Sequence, residues 1–428
     1  MAASLKKYCA IKPHTAKPDP DHITVVPVSV SDSQLVVGGK LFKLHGVTYA
    51  KEPEETDFQT MQEMGVNALR TWGSDDKSQL LLDLAYKYKI KVLMGIWMRH
   101  GQPGPEGDDD FDWIRDRRGK KKQMTMALDV VQMHKDHPAL LGWGIGNEVT
   151  LNIATSSEKV SYAKFLEKVC RAVKKLDPNH LVASISAWLT DIPYWQKYCK
   201  SIDIYGVNVY GYGVYAIQHE LKKLEADKPF FLGEFGPVGE WEAQKDPNGV
   251  KEEPTDKQKY EIFADNWKNI EESSGSQFLG GFLFHFGKRL SFAGIWLNFF
   301  IEEAFRPGYW GARKAFTGKD PTHKLPSIKT LLLLEAKKPQ LPGKWINAKL
   351  EFLCPGGILT KVIFYYNQRQ GTRAQRDAVV PLRSELDESS KLYRIQLPNN
   401  PGLTKIYAFV EDEHANLAIA SASVRVQS

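Results

Sequence analysis

Two segments of this sequence run an apolar stretch straight into a carboxylate. One reads Trp143-Gly-Ile-Gly-Asn147-Glu148-Val149, the other Phe230-Phe-Leu-Gly-Glu234-Phe-Gly-Pro237. In each, glycine and an aromatic residue stand close to the acid. A carboxylate at the end of a buried strand is costly unless it is paired or used. Either glutamate alone reads as a surface or salt-bridged residue just past a strand. The two together, with Asn147 immediately before the first, point to a carboxylate pair kept for chemistry. Metal-assisted hydrolysis would need clustered histidine and carboxylate ligands, such as His-x-His after a first strand. That stretch reads LHGVTYAKE, and His134-x-x-His137 falls ahead of a strand, on the wrong side. No GxSxG nucleophile elbow is present. No metal or cofactor is expected.

The two glutamates lie 86 positions apart, so whole elements must bring them together. The chain repeats one architecture: a short apolar strand, a polar loop, an amphipathic helix. Strands are expected at 44–49, 68–71, 91–97, 140–147, 181–185, 202–209, 230–233 and 278–286. Helices are expected at 57–64, 77–88, 124–135, 157–176, 193–198, 215–224, 257–272 and within 299–316. Eight such pairs in about 270 residues make a closed parallel (β/α)8 TIM barrel, whose active sites sit at the C-terminal strand ends. An open doubly wound sheet would carry GxGxxG after its first strand, where this chain has Lys51-Glu-Pro-Glu-Glu. Residues 1–33 read as an N-terminal extension and the start of a hairpin whose strands, at 24–30 and 34–42, flank Ser31-Asp-Ser33. Residues 34–335 read as the barrel. Past a linker at 337–343, residues 343–428 carry short β-branched and aromatic runs, at 345–352, 360–366, 391–397, 405–411 and 417–426, between turn residues: a small all-β sandwich.

HPALLGWGIGNEV and FFLGEFGP resemble the two signature segments of the clan of retaining glycoside hydrolases built on (β/α)8 barrels. That clan includes the barrel domain of family 2, family 5 and the β-glucan-remodelling family 72. LVVGGKLFKLHGVTY resembles its opening hairpin and first strand, and GVNALRTWG its second strand; the likeness covers about residues 34–316. The resemblance implies that Glu148 is the general acid/base and Glu234 the nucleophile. In a retaining enzyme two such carboxyls stand about 5 Å apart. It also implies that Arg70 supplies a cation near the nucleophile. Asn147 would bond the sugar 2-hydroxyl, and Tyr210, in VNVYGYG, would touch the nucleophile. Many clan members place a tryptophan on the eighth strand; here the run is GFLFHFGKR, and His285 or Phe286 would take its place. Sugar rings also need flat apolar platforms, and Trp72, Trp97, Trp188, Trp241 and Trp296 all fall in or near expected strand-end loops. Two or three of them are expected to line the cleft. His100, in WMRHG, is a further candidate for a substrate hydroxyl.

The expected partner is therefore an oligo- or polysaccharide. Through the likeness to glucan-remodelling barrels a β-glucan is expected, β-1,3-linked first, with β-galactoside and β-mannan open. Transfer to a sugar hydroxyl instead of water would make the protein a transglycosylase, and a non-catalytic sugar-binding barrel is the alternative outside enzymes. Composition fits a globular chain: 42% apolar, 25% charged, and too evenly mixed for disorder, collagen or a coiled coil. Apolar runs such as 278–286 and 331–334 fall short of the roughly 20 residues of a membrane span, so no membrane partner is expected. Lys+Arg at 57 against Asp+Glu at 51 is a mild excess, and the one dense basic run, at 115–122, reads as a solvated loop; no nucleic acid is expected. The first twenty residues lack the apolar core of a secretory signal. Cys9, Cys170, Cys199 and Cys354 form no CxxC pair, and no Asn-x-Ser/Thr acceptor occurs. A cytoplasmic location is the expectation. The C-terminal module shows no aromatic strip, which favours packing against the barrel over carbohydrate binding.

Overall fold

A computed structural model describes residues 25–101, 111–273, 275 and 277–427. The expectations placed on Cys9, on Thr24 and on the rest of residues 1–24 of the N-terminal extension lie outside the described residues. Eight strands close into a parallel barrel: β1 (Leu44–Thr48), β2 (Ala68–Arg70), β3 (Lys91–Ile96), β4 (Leu140–Asn147), β5 (Leu181–Ala187), β6 (Ile204–Tyr210), β7 (Phe230–Gly236) and β8 (Phe278–Leu283). They follow one another round the ring in chain order, and β8 pairs with β1 to close it.

Side-chain alternation sorts each strand into an inner and an outer face. On β6, Tyr205, Val207 and Val209 pack outward against the helices, while Ile204 belongs to the inner cluster with Ala68, Leu93, Ala183, Ile185 and Phe231. The same alternation turns Asn208 and Tyr210 inward, at the C-terminal end. A hairpin of Val28–Ser31 and Gln34–Val37 precedes β1 and packs Val28 and Leu35 into the inner cluster, plugging the other end of the barrel. Inner packing therefore closes the bottom and leaves the polar inner positions at the top.

The helices form where an apolar stripe meets a good cap. Thr155 caps Ser156–Leu176, accepting from the Glu158 amide, and Tyr162, Leu166, Val169, Cys170 and Val173 make its buried face. The basic run departs from expectation. It opens a helix, Arg117–His134, whose start Asp116 caps through the Gly119 amide. Its buried face runs through Gly119, Gln123, Ala127, Val131 and His134; over the basic run itself the buried positions are a glycine and a glutamine, which no apolar periodicity reveals.

After the barrel come two four-stranded antiparallel sheets. Their strands are β9 (Ser327–Leu333), β10 (Trp345–Leu353), β11 (Leu359–Gln368), β12 (Val380–Pro381), β13 (Ser384–Asp387), β14 (Leu392–Gln396), β15 (Gly402–Asp412) and β16 (Leu417–Val426), in the orders β9-β10-β14-β13 and β12-β11-β15-β16. The apolar run at 331–334 thus contributes to β9, paired with β10. The sheets share a core of Ile346, Phe364, Ile395, Ile406, Ala408 and Val424. The alternate residues of β15, Tyr407 and Phe409, join Phe292, Ile295 and Trp296 from the barrel side in a second cluster. No helix among the described residues is long and apolar enough to cross a membrane.

Candidate active site

Glu234 lies near the end of β7, 7% exposed, and both of its oxygens are held. Trp72 Nε1 donates to Oε1 at 2.9 Å, with Arg70 Nη1 at 3.3 Å from the same atom, and the Tyr210 hydroxyl donates to Oε2 at 2.6 Å. The three donors come from the end of β2, the loop after it and the end of β6. Arg70 is fully buried. Its Nη1 also donates to the Gly233 carbonyl at 2.7 Å, which fixes the guanidinium beside the carboxylate. Burial pushes the arginine pKa down, opposed chiefly by Glu234 and then by Glu148, yet an arginine stays charged over the working range. Burial, and then Glu234, push the Tyr210 phenol well above its usual pKa, so it keeps its proton and donates.

Glu148 follows β4 in a left-handed conformation, φ 52° and ψ 27°, before a short 3-10 turn over Val149–Asn152. It is half-buried. Asn208 Nδ2 donates to Glu148 Oε1 at 2.8 Å and to Asn147 Oδ1 at 3.1 Å, while Arg70 Nη2 donates to the same Asn147 oxygen at 2.6 Å. Two donors on one oxygen fix the orientation of the Asn147 amide and turn its nitrogen away from both. Beneath the turn, the Thr150 hydroxyl donates to the buried Asp191 carboxylate, and the Asp191 amide donates to Ser186 Oγ at 3.1 Å. Burial raises the Asp191 pKa against the opposing pull of the Thr150 and Ser186 hydrogen bonds. Arg70 and Asn208 thus tie the two glutamates into one network.

The remaining expected residues divide. Trp72 is half-buried and belongs to the network. Trp241 is 59% exposed and stands edge-on to Tyr210, with ring centroids 4.9 Å apart. Trp97 stacks on the buried His100 at 5.0 Å, and His100 Nδ1 lies 3.4 Å from Asn152 Nδ2, so this pair braces the turn after Glu148. Trp188, half-buried after β5, donates its backbone amide to the Asn208 carbonyl at 3.0 Å. His285 follows β8, with Nδ1 3.2 Å from the Thr48 hydroxyl. Burial pushes its pKa down to about 4, so the ring is neutral at ordinary pH.

Two expectations are corrected. Trp296 is 1% exposed and donates to the Val238 carbonyl at 2.8 Å inside the cluster between barrel and sandwich, so it packs there and does not line the cleft. Phe286, offered for the place of the eighth-strand tryptophan, is buried against Tyr49 and Phe300. The ring that stands between Trp72 and Tyr210 is Phe284, at 5.9 Å and 5.8 Å. Sequence reasoning passed over both Phe284 and Asn208. Asn208 had a signal, since it precedes Tyr210 by two residues on one strand and must share its face.

A family model described as a domain of unknown function (DUF4434) matches residues 54–219, a span with Arg70, Asn147 and Glu148 but short of Glu234. A β-glucuronidase of Bacteroides fragilis is 26% identical over 184 residues, 39% of this chain and 25% of that protein. A probable mannan endo-1,4-β-mannosidase F of Aspergillus oryzae is 26% identical over 168 residues, 36% of this chain and 35% of that protein. Among solved structures, a GH2 β-galacturonidase from Eisenbergiella tayi bound to galacturonate superposes with a TM-score of 0.52 at 17% identity, over 69% of this chain and 54% of that one. The matched segments span about a quarter to a third of the curated relatives and about half of the solved chain. These relatives are glycosidases, and the structural likeness shows a shared barrel fold. The clan resemblance is supported; families 5 and 72 draw no support from these comparisons.

Among the described residues no group of three or more His, Cys, Asp or Glu side chains is placed to hold a metal ion. The donor set around Glu234 and Glu148 consists of an arginine, amides, an indole and a phenol, which suits carboxylates and sugar hydroxyls.

Proposed function

We propose that this protein is a retaining glycoside hydrolase in which Glu234 is the nucleophile and Glu148 the general acid/base. One observation carries the reading: both oxygens of Glu234 accept hydrogen bonds from groups that only donate there, an arginine among them, while Glu148 is half-exposed and accepts from the Asn208 amide. Donors and a cation favour the ionised form of a carboxylate. Ionised Glu234 attacks the anomeric carbon; protonated Glu148 gives its proton to the leaving oxygen as the glycosidic bond breaks. Glu148 then takes a proton from water, whose oxygen displaces Glu234 and restores the starting configuration. The Asn147 amide nitrogen is oriented to donate to a sugar hydroxyl, a contact that strengthens as charge develops on the ring.

The substrate in this reading is a β-linked glycan. The likeness to the Aspergillus mannosidase favours β-1,4-mannan over the β-1,3-glucan expected from the sequence, and the likeness to β-glucuronidases adds β-glucuronides. The test is a mass-spectrometric product profile on β-1,4-mannohexaose, β-1,3- and β-1,4-linked glucohexaose and an aryl β-glucuronide, with Glu234→Gln alongside. Shortened products that vanish in the variant identify a glycosidase and its linkage; products longer than the input identify a transglycosylase. Turnover that survives Glu234→Gln sinks the reading.

A further inference from the structure

An apolar ring left in water forgoes the stabilisation of burial, and single exposed aromatics on a surface need no explanation. Grouped ones do. Among the described residues three aromatic side chains stand out as exposed: Tyr212 at 66%, Trp241 at 59% and Tyr215 at 48%. All three lie on two neighbouring loops, those after β6 and β7, the strands that carry Tyr210 and Glu234.

Their placement is built, not loose. Tyr212 sits between Gly211 and Gly213 in a 3-10 turn over Gly211–Tyr215. Gly211 has φ +55°, and a Cβ there would come within 2.5 Å of Val238 on the next loop, so the two loops interlock at a glycine. Tyr212 and Tyr215 are stacked, with planes 18° apart and centroids 6.5 Å apart, and the Tyr215 hydroxyl donates to Asn266 at 2.5 Å. Beside Tyr212 and Val238 lies a cleft of about 220 Å³ whose rim includes Gln244, Glu252 and Gln258. Trp241 rests edge-on against Tyr210, the residue bonded to Glu234.

We infer that Trp241, Tyr212 and Tyr215 form an extended carbohydrate-binding platform that receives pyranose rings of the same β-linked chain whose bond is cut at Glu234. The platform is continuous with the active site through Tyr210. Its chemistry pairs aromatic faces with amide and carboxylate groups at the edge, which matches the apolar face and hydroxyl rim of a pyranose. Tyr212 and Tyr215 add aromatic surface to Trp241, so the platform favours a chain of several sugars over a short one. It rests on the proposed glycosidase reading, and it would account for three aromatic rings left exposed beside the site.

The test separates the two. Calorimetric titration of the Glu234→Gln protein with β-1,4-mannohexaose, β-1,3-glucohexaose and cellohexaose, and with the matching disaccharides, measures binding without turnover. At least one hexasaccharide should bind more tightly than its disaccharide. Adding Tyr212→Ala should weaken that hexasaccharide about fivefold, the effect of one aromatic contact, and the disaccharide by less. Tyr215→Ala should act in the same direction; Tyr212→Ala should keep the parent melting temperature because its ring is exposed, while Tyr215→Ala also loses the hydrogen bond to Asn266 and should melt somewhat lower. Equal losses on long and short sugars, no loss on either, or no hexasaccharide binding at all would overturn the platform. A wild-type protein that turns over no glycoside, while the Glu234→Gln protein shows the length-dependent loss, would overturn the catalytic reading and leave the platform standing.

Discussion

At the scale of single residues, Asn208 is the informative position. Its one amide group donates both to Glu148 and to the oxygen that orients Asn147, so it holds the proposed acid/base and the amide proposed to meet the sugar in one register. A hydrogen bond to a charged group contributes about 1.5–3 kcal/mol, and a glycosidase needs its acid most when the leaving group is poor. Asn208→Ala should therefore lower kcat/KM about 10- to 100-fold on unactivated oligosaccharides and much less on dinitrophenyl glycosides, whose leaving group needs no proton. Steady-state kinetics on a series of aryl glycosides reads the slope against leaving-group pKa. An equal loss across the series would show that Asn208 holds the pocket together without acting through Glu148. His285 gives a second prediction. Its pKa of about 4 lies below the usual value near 6.5, so the unfolded chain takes up a proton first as pH falls. The sign follows: stability is full above pH ~6.5 and declines between ~6.5 and ~4. His285→Asn should flatten that part of the curve in thermal melts taken from pH 7 to 4, and an unchanged slope would count against a neutral buried ring.

At the scale of elements, the same physics explains what the sequence made legible. The strand 140–147 was expected and found at the same bounds, because an unbroken apolar run must end where Asn147 and Glu148 begin. Seven further strands were recognised from short apolar runs, and their order fixed the barrel. The first seven residues of the helix Arg117–His134 were harder: helix-forming lysines and arginines looked like a solvated loop, and the residues they bury, Gly119 and Gln123, carried no apolar signal. Arg70, Trp72 and Tyr210 were legible because each stands at a strand end. Phe284 was not, since which of three successive residues, Phe284, His285 and Phe286, faces the cleft depends on where β8 stops. The turn after β4 shows how an element sets a residue. Glu148 holds a left-handed conformation only while Val149–Asn152 is held, and the Thr150–Asp191 hydrogen bond is the buried tie beneath it. Thr150→Val keeps the shape and removes the donor, leaving a buried acceptor unpaired at a cost of about 1–3 kcal/mol. The variant should melt lower, and kcat should fall by more than KM changes. A lower melting temperature with unaltered kinetics would mean that the turn keeps its conformation by other contacts.

At the scale of the whole molecule, the sandwich and barrel meet on the segment that follows β7, the strand that carries Glu234. Between β7 and the helix that starts at Asp256, Glu240 pairs with Arg369, Asn248 Nδ2 donates to Ser423 Oγ at 2.9 Å, and Glu253 lies 2.6 Å from Lys259 and 3.2 Å from Lys405. The Asp256 carboxylate accepts from the Ile419 amide at 2.7 Å and pairs with Arg306 at 2.6 Å. Lys405 also lies 4.6 Å from the Trp296 ring, whose indole holds Val238. The sandwich therefore braces the loop that carries Val238 and Trp241, beside Tyr210 and Glu234. Glu253 is the hub. Burial alone would raise its pKa, but the Lys259 and Lys405 ammonium groups hold it at about 2. A depressed carboxylate contributes stability above its unfolded pKa, near 4.3, and loses it as pH falls toward 2. Glu253→Gln leaves two buried lysines without their partner, a change that costs about 3–5 kcal/mol. The variant should melt well below the parent at pH 7, and the gap should narrow between pH ~4 and ~2 as the parent's own Glu253 takes up a proton. Its kcat/KM should fall even at temperatures where the chain stays folded, because the loop beside Glu234 loses its brace. Wild-type kinetics in a folded Glu253→Gln protein would reduce the sandwich to a passenger; the expected joint loss makes barrel and sandwich one catalytic unit.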